Sequence, residues 1–301
     1  MSLRNTYRGV QNHQSLFKIA TLATCATHPS RYRITSSSHN RISQLNMSTK
    51  YTLFDIPSNS TPPACWSPNC WKARGVLNYK NVPYETEWLE YPDIRVRLAE
   101  FGLPSKTGLM PYTLPMLRVT TTPEDGTDPK VTYFTDSADI AKYINEEFPT
   151  PAMDFNEALT DEITAFFGAN LQEPFIALVL CDVPSVLLPR SAEYFNQTRA
   201  REDWMGMPLP DLKKKMIEKG NAWEKMETGI GKVRELLRKN GGPFILGEKV
   251  SFGDMKLAGY MLWAKVGAPE VWPKVKEWGG EEVERFMAAA EEKKISARLT
   301  Y

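Results

Sequence analysis

The pattern of hydrophobic residues changes near residue 150, and this change most limits the folds open to the chain. Before it, β-like runs alternate with helical segments, which predicts a small α/β layer with a parallel strand pair followed by a hairpin. Pro149-Thr150-Pro151 marks the boundary, because helices usually end before such residues. The strands are predicted at 51–56, 84–90, 114–119 and 130–134, and the helices at 68–80, 93–101 and 136–148.

Beyond the boundary almost no segment alternates, so the second half is predicted to be all-helical. Ser251 and Asp254 have the spacing of a capping box in its Asp form at the start of one helix. A chain of 301 residues accommodates two domains, which we expect at 51–149 and 150–301. Helical periodicity covers residues 157–180, 193–204, 209–239, 252–266 and 281–294.

Residues 1–50 have a different composition, with seven basic side chains, no acidic one and fourteen Ser or Thr. An Arg-rich, Ser-rich segment without acids is typical of a mitochondrial presequence. Two other interpretations are open: a plain disordered tail, or translation that starts at Met47. In each case we expect disorder in this extension. The predicted location is cytoplasmic, or the mitochondrial matrix if residues 1–46 are a true presequence.

The rest of the composition argues against several classes of protein. The net charge of +1 gives no reason to expect nucleic acid, and no apolar run approaches the roughly 18 residues of a membrane span. Four cysteines in a chain this long indicate a reducing compartment rather than a disulfide framework. His13, His28 and His39 all lie in the extension, which argues against histidine catalysis, and no spacing indicates a metal site.

The segment Trp66–Lys72 carries the strongest local feature of the first half. Ser67 followed by Pro68 is a helix start, with serine as N-cap and proline at the first helical position. The positive end of a helix dipole favours an anion at that place, including a thiolate. Because a Ser-Pro helix start is most often structural, the functional interpretation depends on its surroundings.

Together these features resemble the soluble glutathione transferases, and most closely their β-etherase branch and its fungal relatives. The most specific part of the resemblance is Trp66–Lys72, in which Trp66-Ser-Pro-Asn is followed after Cys70 by the aromatic Trp71 and the basic Lys72, together with Asn78–Lys80 and Glu90–Ile94. The resemblance covers residues 51–295. It implies a thioredoxin-like N-terminal domain with a four-stranded mixed sheet and helices, and an all-α helical C-terminal domain. Dimers are usual in this superfamily, so a homodimer is possible.

The resemblance also implies a glutathione site. Ser67 matches the residue that meets the glutathione sulfur, and Pro115 matches a cis-proline whose neighbour pairs with the cysteinyl backbone. At the γ-glutamyl end, Ser137 can bind the α-carboxylate, while Asp136 contacts the α-ammonium or only caps its helix. Lys72 and Arg74 are either ligands of the glycyl carboxylate or a solvated helix face. The implied catalytic residue is Ser67, and the implied glutathione-binding residues are Asn69, Leu114, Pro115, Asp136 and Ser137.

The motif also limits the chemistry. Ser67-Pro-Asn-Cys70 looks like a glutaredoxin Cys-Pro-x-Cys whose nucleophile is serine, which argues against dithiol exchange. If either Cys65 or Cys70 is reactive, Cys65 in the loop is the one expected to be so, and the insert Ser58–Cys65 is expected over the site. An acceptor pocket between the domains is predicted, lined by the insert and the first helix of the second domain. Its candidate residues, most of which could equally belong to the core, are Phe166, Phe167, Asn170, Glu173 and Pro174.

The sequence is compatible with three functions. The first is an enzyme with glutathione as co-substrate and no metal, whose thiolate attacks a hydrophobic or aromatic electrophile. Its versions are β-aryl ether cleavage and conjugation of a secondary metabolite. The second is a non-catalytic module that binds glutathione, another ligand or a protein. The third is a thiol transferase that uses Cys65.

Overall fold

The structure is a computed structural model, and it describes residues 47–108 and 110–297. Its first part alternates strands and helices, as the sequence predicts. Proline stands in the first turn of both α1 and α2, where its missing N–H costs no helical hydrogen bond. The elements are β1 (Met47–Asp55), α1 (Pro68–Tyr79), β2 (Glu85–Trp88), α2 (Tyr91–Glu100), β3 (Met116–Pro123), β4 (Lys130–Phe134) and α3 (Ser137–Glu147).

The four strands form one mixed sheet in the order β2-β1-β3-β4. Strands β1 and β2 are parallel, whereas β3 is antiparallel to both β1 and β4. This confirms the predicted four-stranded mixed sheet with its parallel pair and hairpin.

The register brings several loops to one edge of this sheet. Phe54, near the end of β1, pairs with Met116 at the start of β3. Leu117 in turn pairs with Phe134, the last residue of β4. The segments that follow β1 and β4, and the segment that precedes β3, therefore meet at the same edge. Helices α1 and α3 both begin there.

The strands are longer than predicted at two places. Residues 47–50 belong to β1 and pair with Thr120–Pro123, so the expectation that the extension runs to residue 50 is wrong. Strand β3 continues to Pro123 because it has this extended partner. The predicted presequence, disordered tail and alternative start concern residues 1–46, which lie outside the described residues. Of the helices described, none is long and apolar enough to cross a membrane.

The second part is helical, which confirms the predicted class. It contains α4 (Glu157–Asn170), α5 (Gln172–Leu178), a 3-10 helix (Leu180–Val186), α6 (Pro189–Arg199), α7 (Leu209–Gly220), α8 (Ala222–Arg238), α9 (Phe252–Gly267) and α10 (Trp272–Glu292). The predicted boundary at 149–151 falls between α3 and α4.

Two of the predicted helices are interrupted. The segment 209–239 is two helices, because Asn221 adopts a left-handed conformation with φ of 51° after Gly220. The segment 157–180 divides at Leu171, between α4 and α5. The last helix begins at Trp272, earlier than predicted, and contains a break at Gly280 with φ of 55°.

Helix α9 joins the two parts because it packs along α1. Almost every residue of α1 is buried, between the sheet and α9. The capping box that starts α9 is present: the Asp254 carboxylate accepts from the backbone N–H groups of Ser251 at 2.7 Å and Ile245 at 2.8 Å. Burial raises the pKa of Asp254 to about 6.

Candidate active site

Ser67 is the N-cap of α1, with an extended backbone at φ −68° and ψ 127°. Its hydroxyl does not cap the helix, and only 6% of the residue is exposed. The hydroxyl lies beside the Cys70 thiol, one turn into α1, where its hydrogen bond acts to lower the thiol pKa. The start of α1 therefore has no side-chain cap, and the Ser67 hydroxyl is within hydrogen-bonding reach of the Cys70 sulfur.

The Leu114–Pro115 peptide is cis, as expected, and both residues are buried immediately before β3. Among the described residues, no hydrogen bond involves the Leu114 backbone. A peptide laid along this segment would find these groups available for strand-like pairing.

Asp136 and Ser137 form the start of α3. Asp136 is exposed, and its side chain accepts from the Ala138 backbone N–H at 2.8 Å, so it does cap the helix. Ser137 is the first residue of α3 and is half-buried. The first-turn N–H groups at this place are suited to a carboxylate.

Asn69 is exposed on the first turn of α1, where the Lys72 ammonium donates to its side-chain oxygen at 2.7 Å. The register of the sheet brings this turn, the Leu114 segment and the start of α3 to one edge. The six residues that the resemblance implies therefore lie on segments that meet near this edge, where α1 also packs against α3. That they form a glutathione site stays a prediction.

Two lysines stand next to this edge. Lys72 is half-buried, and its stem lies 3.7 Å from the position of a Cβ built on Gly259 of α9. Lys256, also half-buried, donates to Thr164 Oγ1 and, at 3.4 Å, to the Thr160 carbonyl of α4. Among the described residues, neither lysine forms an ion pair with a carboxylate.

Burial dominates the electrostatics of these lysines. It lowers the pKa of Lys72 to about 8, assisted by the positive charge of Lys256 and opposed by Asp136. Burial also lowers the pKa of Lys256, while Asp136 and Asp161 act in the opposite direction. Sequence reasoning missed Lys256 because no local pattern sets it apart. Only the packing of α9 on α1 and α4 brings it here.

The structure contradicts a ligand role for Arg74. Its Nε donates to Asp55 Oδ2 at 2.6 Å, and the two side chains are 5% and 0% exposed. The guanidinium also donates to Tyr84 and Thr86 and lies over the Trp88 ring. This ion pair ties α1 to the sheet, so neither the glycyl-carboxylate role nor the solvated helix face is correct for Arg74.

The expectation of a reactive Cys65 is also wrong. Cys65 and Cys70 are both buried, and their pKa values lie well above the ordinary range because of burial and the nearby Asp55 carboxylate. A thiol in these surroundings stays protonated and shielded from reagents.

The insert Ser58–Cys65 docks on the second half of the chain. The Asn59 backbone N–H donates to Val186 at 2.9 Å, and its side-chain amide donates to Ser185 at 3.0 Å. These contacts fix the insert against the 3-10 helix. That it covers the site stays a prediction.

Most of the candidate acceptor residues are buried in the helical core or bonded to α8. Phe167 and Pro174 are buried in the helical core. Lys232 and Lys225 of α8 donate to the side chains of Asn170 at 2.7 Å and Glu173 at 2.6 Å. That these two line an acceptor pocket stays a prediction. Phe166 is half-buried and remains a candidate.

No group of three or more His, Cys, Asp or Glu side chains arranged to hold a metal occurs in the part of the chain that the structure describes.

Comparison with known proteins identifies both halves of the chain. The family model of the glutathione S-transferase N-terminal domain matches residues 66–147, and that of the glutathione S-transferase C-terminal domain matches residues 158–292. The chain is 31% identical over 233 residues to the glutathione S-transferase-like protein ustS of Aspergillus flavus, covering 72% of this chain and 80% of that protein.

Solved structures of fungal glutathione transferases have the same fold. CsGST63524 of Ceriporiopsis subvermispora, crystallised in complex with glutathione, is 32% identical with a TM-score of 0.66, covering 81% of this chain and 98% of that chain. GSTFuA3 of Phanerochaete chrysosporium is 29% identical with a TM-score of 0.68, covering 81% and 97% respectively. With a thioredoxin-like first domain and a helical second domain, both matched by family models, the chain belongs to the glutathione S-transferase superfamily.

Proposed function

We propose that this protein is a glutathione transferase in which Ser67 keeps the glutathione thiol ionised. The observation that carries the proposal is the position of Ser67 at the N-terminus of α1, with a hydroxyl that does not cap the helix. A hydroxyl that donates to a thiolate, assisted by the helix dipole, lowers the thiol pKa. A shift of two units is about 2.7 kcal/mol in favour of the thiolate.

The tripeptide would lie along the edge where the loops meet. The Leu114 backbone beside Pro115 would pair with its cysteinyl unit, and the start of α3 at Asp136 and Ser137 would hold its γ-glutamyl end. Asn69 would contact it from the first turn of α1. The glutathione bound in the structure of the Ceriporiopsis subvermispora relative supports this choice of ligand.

The reaction follows from an ionised thiol held at a helix start. The sulfur attacks an electrophilic carbon of a hydrophobic or aromatic acceptor, which the second domain (150–301) would bind beside the glutathione domain (51–149). In the β-etherase version, a C–S bond forms as the C–O bond breaks, and the aryloxide leaves and takes a proton from water. The Trp66–Asn69 motif supports this branch; conjugation of a secondary-metabolite intermediate uses the same step.

Turnover of a panel of aryl ethers and electrophiles tests this function. Because hydrogen bonds to charged groups contribute about 1.5–3 kcal/mol, we expect Ser67→Ala to lower kcat/KM about 10- to 100-fold. The exposed Ser105 provides the matched control Ser105→Ala, which should retain full activity. Glutathione binding without turnover of any acceptor would favour the binding-module alternative, and unchanged activity in Ser67→Ala would contradict the proposed mechanism.

A further inference from the structure

Lys256 belongs to the helical domain but lies against the start of the glutathione domain. Gly259, one turn further along α9, faces the same way as Lys256, since residues three apart are neighbours on a helix surface. A Cβ built on Gly259 would stand 2.7 Å from the Pro68 carbonyl oxygen and 3.7 Å from Lys72 Cγ. This face of α9 therefore covers the first turn of α1, next to Ser67.

The hydrogen bonds of the two lysines are incomplete. An ammonium has three N–H donors. Lys256 uses two of them, for Thr160 and Thr164, and Lys72 uses one, for Asn69. Both residues are half-buried, and neither amine has a carboxylate partner among the residues described. Removing an ammonium from water without a counter-charge is unfavourable, so this arrangement favours an anionic ligand.

Among the described residues, the charge of Asp136 acts on both lysines, whereas that of Asp161 in α4 acts on Lys256. One of its oxygens caps α3 through the Ala138 N–H. The Asp136 carboxylate and the two ammonium groups thus interact with one another where α1, α3, α4 and α9 meet. This set complements a zwitterionic α-amino acid, which carries one ammonium and one carboxylate on the same carbon.

We infer that Lys256, with Lys72 beside it, binds the α-carboxylate of the γ-glutamyl unit of glutathione, while Asp136 binds its α-ammonium. This inference rests on the proposed glutathione site and assigns to it a residue from the second domain. Lys256 is a binding residue for the amino-acid end and has no part in the reaction at sulfur. Glutathione would then contact both domains and be held across their boundary.

The test compares three ligands by calorimetry on the full chain. Glutathione has both carboxylates, 4-aminobutanoyl-cysteinyl-glycine lacks only the α-carboxylate, and γ-glutamylcysteine lacks the glycyl unit. Lys256→Met should lower the affinity for glutathione and for γ-glutamylcysteine about 10- to 100-fold, which corresponds to the free energy of a charge-assisted hydrogen bond. It should leave the affinity for 4-aminobutanoyl-cysteinyl-glycine unchanged, and this retained binding also reports a folded site.

A lysine elsewhere on α9 provides the control for Lys256→Met. Lys265 is exposed near the end of the same helix, so Lys265→Met should bind all three ligands like the wild type. If Lys256→Met lowers the affinity for all three ligands equally, or for none of them, the inference is overturned and the proposed function is unaffected. A wild-type protein that binds none of the three would remove the proposed function itself, and the inference with it.

Discussion

Lys72 and Arg74 are separated by one residue on α1, yet their surroundings differ completely. Both are basic residues after a helix start, and the sequence gives no reason to separate them. Arg74 points toward the sheet and neutralises the buried Asp55, whereas Lys72 points toward α9 without a carboxylate partner in the described structure. The direction of a side chain around a helix that is buried on nearly all sides is decided by tertiary packing, which explains the wrong prediction for Arg74.

Tertiary packing also decides the surroundings of Cys65. Cys65 lies in a polar loop, and loops usually run over the surface. Here the loop is fastened to the second domain through Asn59, which places the thiol under it beside Asp55. By contrast, the capping box at Ser251 and Asp254 was predictable, because all of its partners except Ile245 lie within one turn.

Asp254 provides a prediction about pH. Its pKa is about 6 in the folded protein and about 3.9 in an unfolded chain, so the native state binds the proton more tightly. The resulting stabilisation is fully present below the unfolded value and is lost as the pH rises through 6. Relative to Asp254→Asn, the wild-type free energy of unfolding should fall by about 2–3 kcal/mol between pH 4 and pH 6.5 or so.

Urea unfolding at a series of pH values measures this difference. A pH-independent difference for Asp254→Asn would show that Asp254 does not take up a proton in this range.

At the scale of elements, the sequence predicts which segments are helices and strands better than where helices stop. Strand β4 has the predicted bounds, because turn residues precede it and the start of a helix follows it. The break between α7 and α8 does not disturb the helical period. Gly220-Asn221 is a recognisable helix end, but the periodic pattern on both sides obscures it.

The contact between α9 and α1 provides the prediction at this scale. Alanine at position 259 would bring its Cβ to 2.7 Å from the Pro68 carbonyl oxygen, so one helix must move. We expect Gly259→Ala to lower the free energy of unfolding by about 1–3 kcal/mol, as overpacking does, and to weaken glutathione binding because Pro68 adjoins Ser67.

Gly231 on α8 is the matched control, since a Cβ there meets no atom within 4 Å. Gly231→Ala should stabilise the protein by about 0.5–1 kcal/mol, because alanine is the better helix former. If Gly259→Ala stabilises the protein by a similar amount, the two helices are not as closely packed as described.

At the scale of the whole molecule, the candidate site is assembled from distant parts of the chain. The start of α1, the Leu114–Pro115 peptide and the start of α3 are brought to one edge by the register of the sheet. These residues were predicted from the family resemblance together with the strand and helix pattern. Lys256 enters from a helix more than a hundred residues later in the chain, a contact that only the packing of the two domains creates.

The most direct test of the central claim is an ultraviolet titration of the thiolate of bound glutathione in the wild type, Ser67→Ala and Ser105→Ala. Since hydrogen bonds to charged groups contribute about 1.5–3 kcal/mol, the apparent pKa of the bound thiol should rise by about 1–2 units in Ser67→Ala. Ser105→Ala should titrate like the wild type. Equal thiol pKa values in the wild type and Ser67→Ala, with glutathione bound to both, would contradict the role of Ser67.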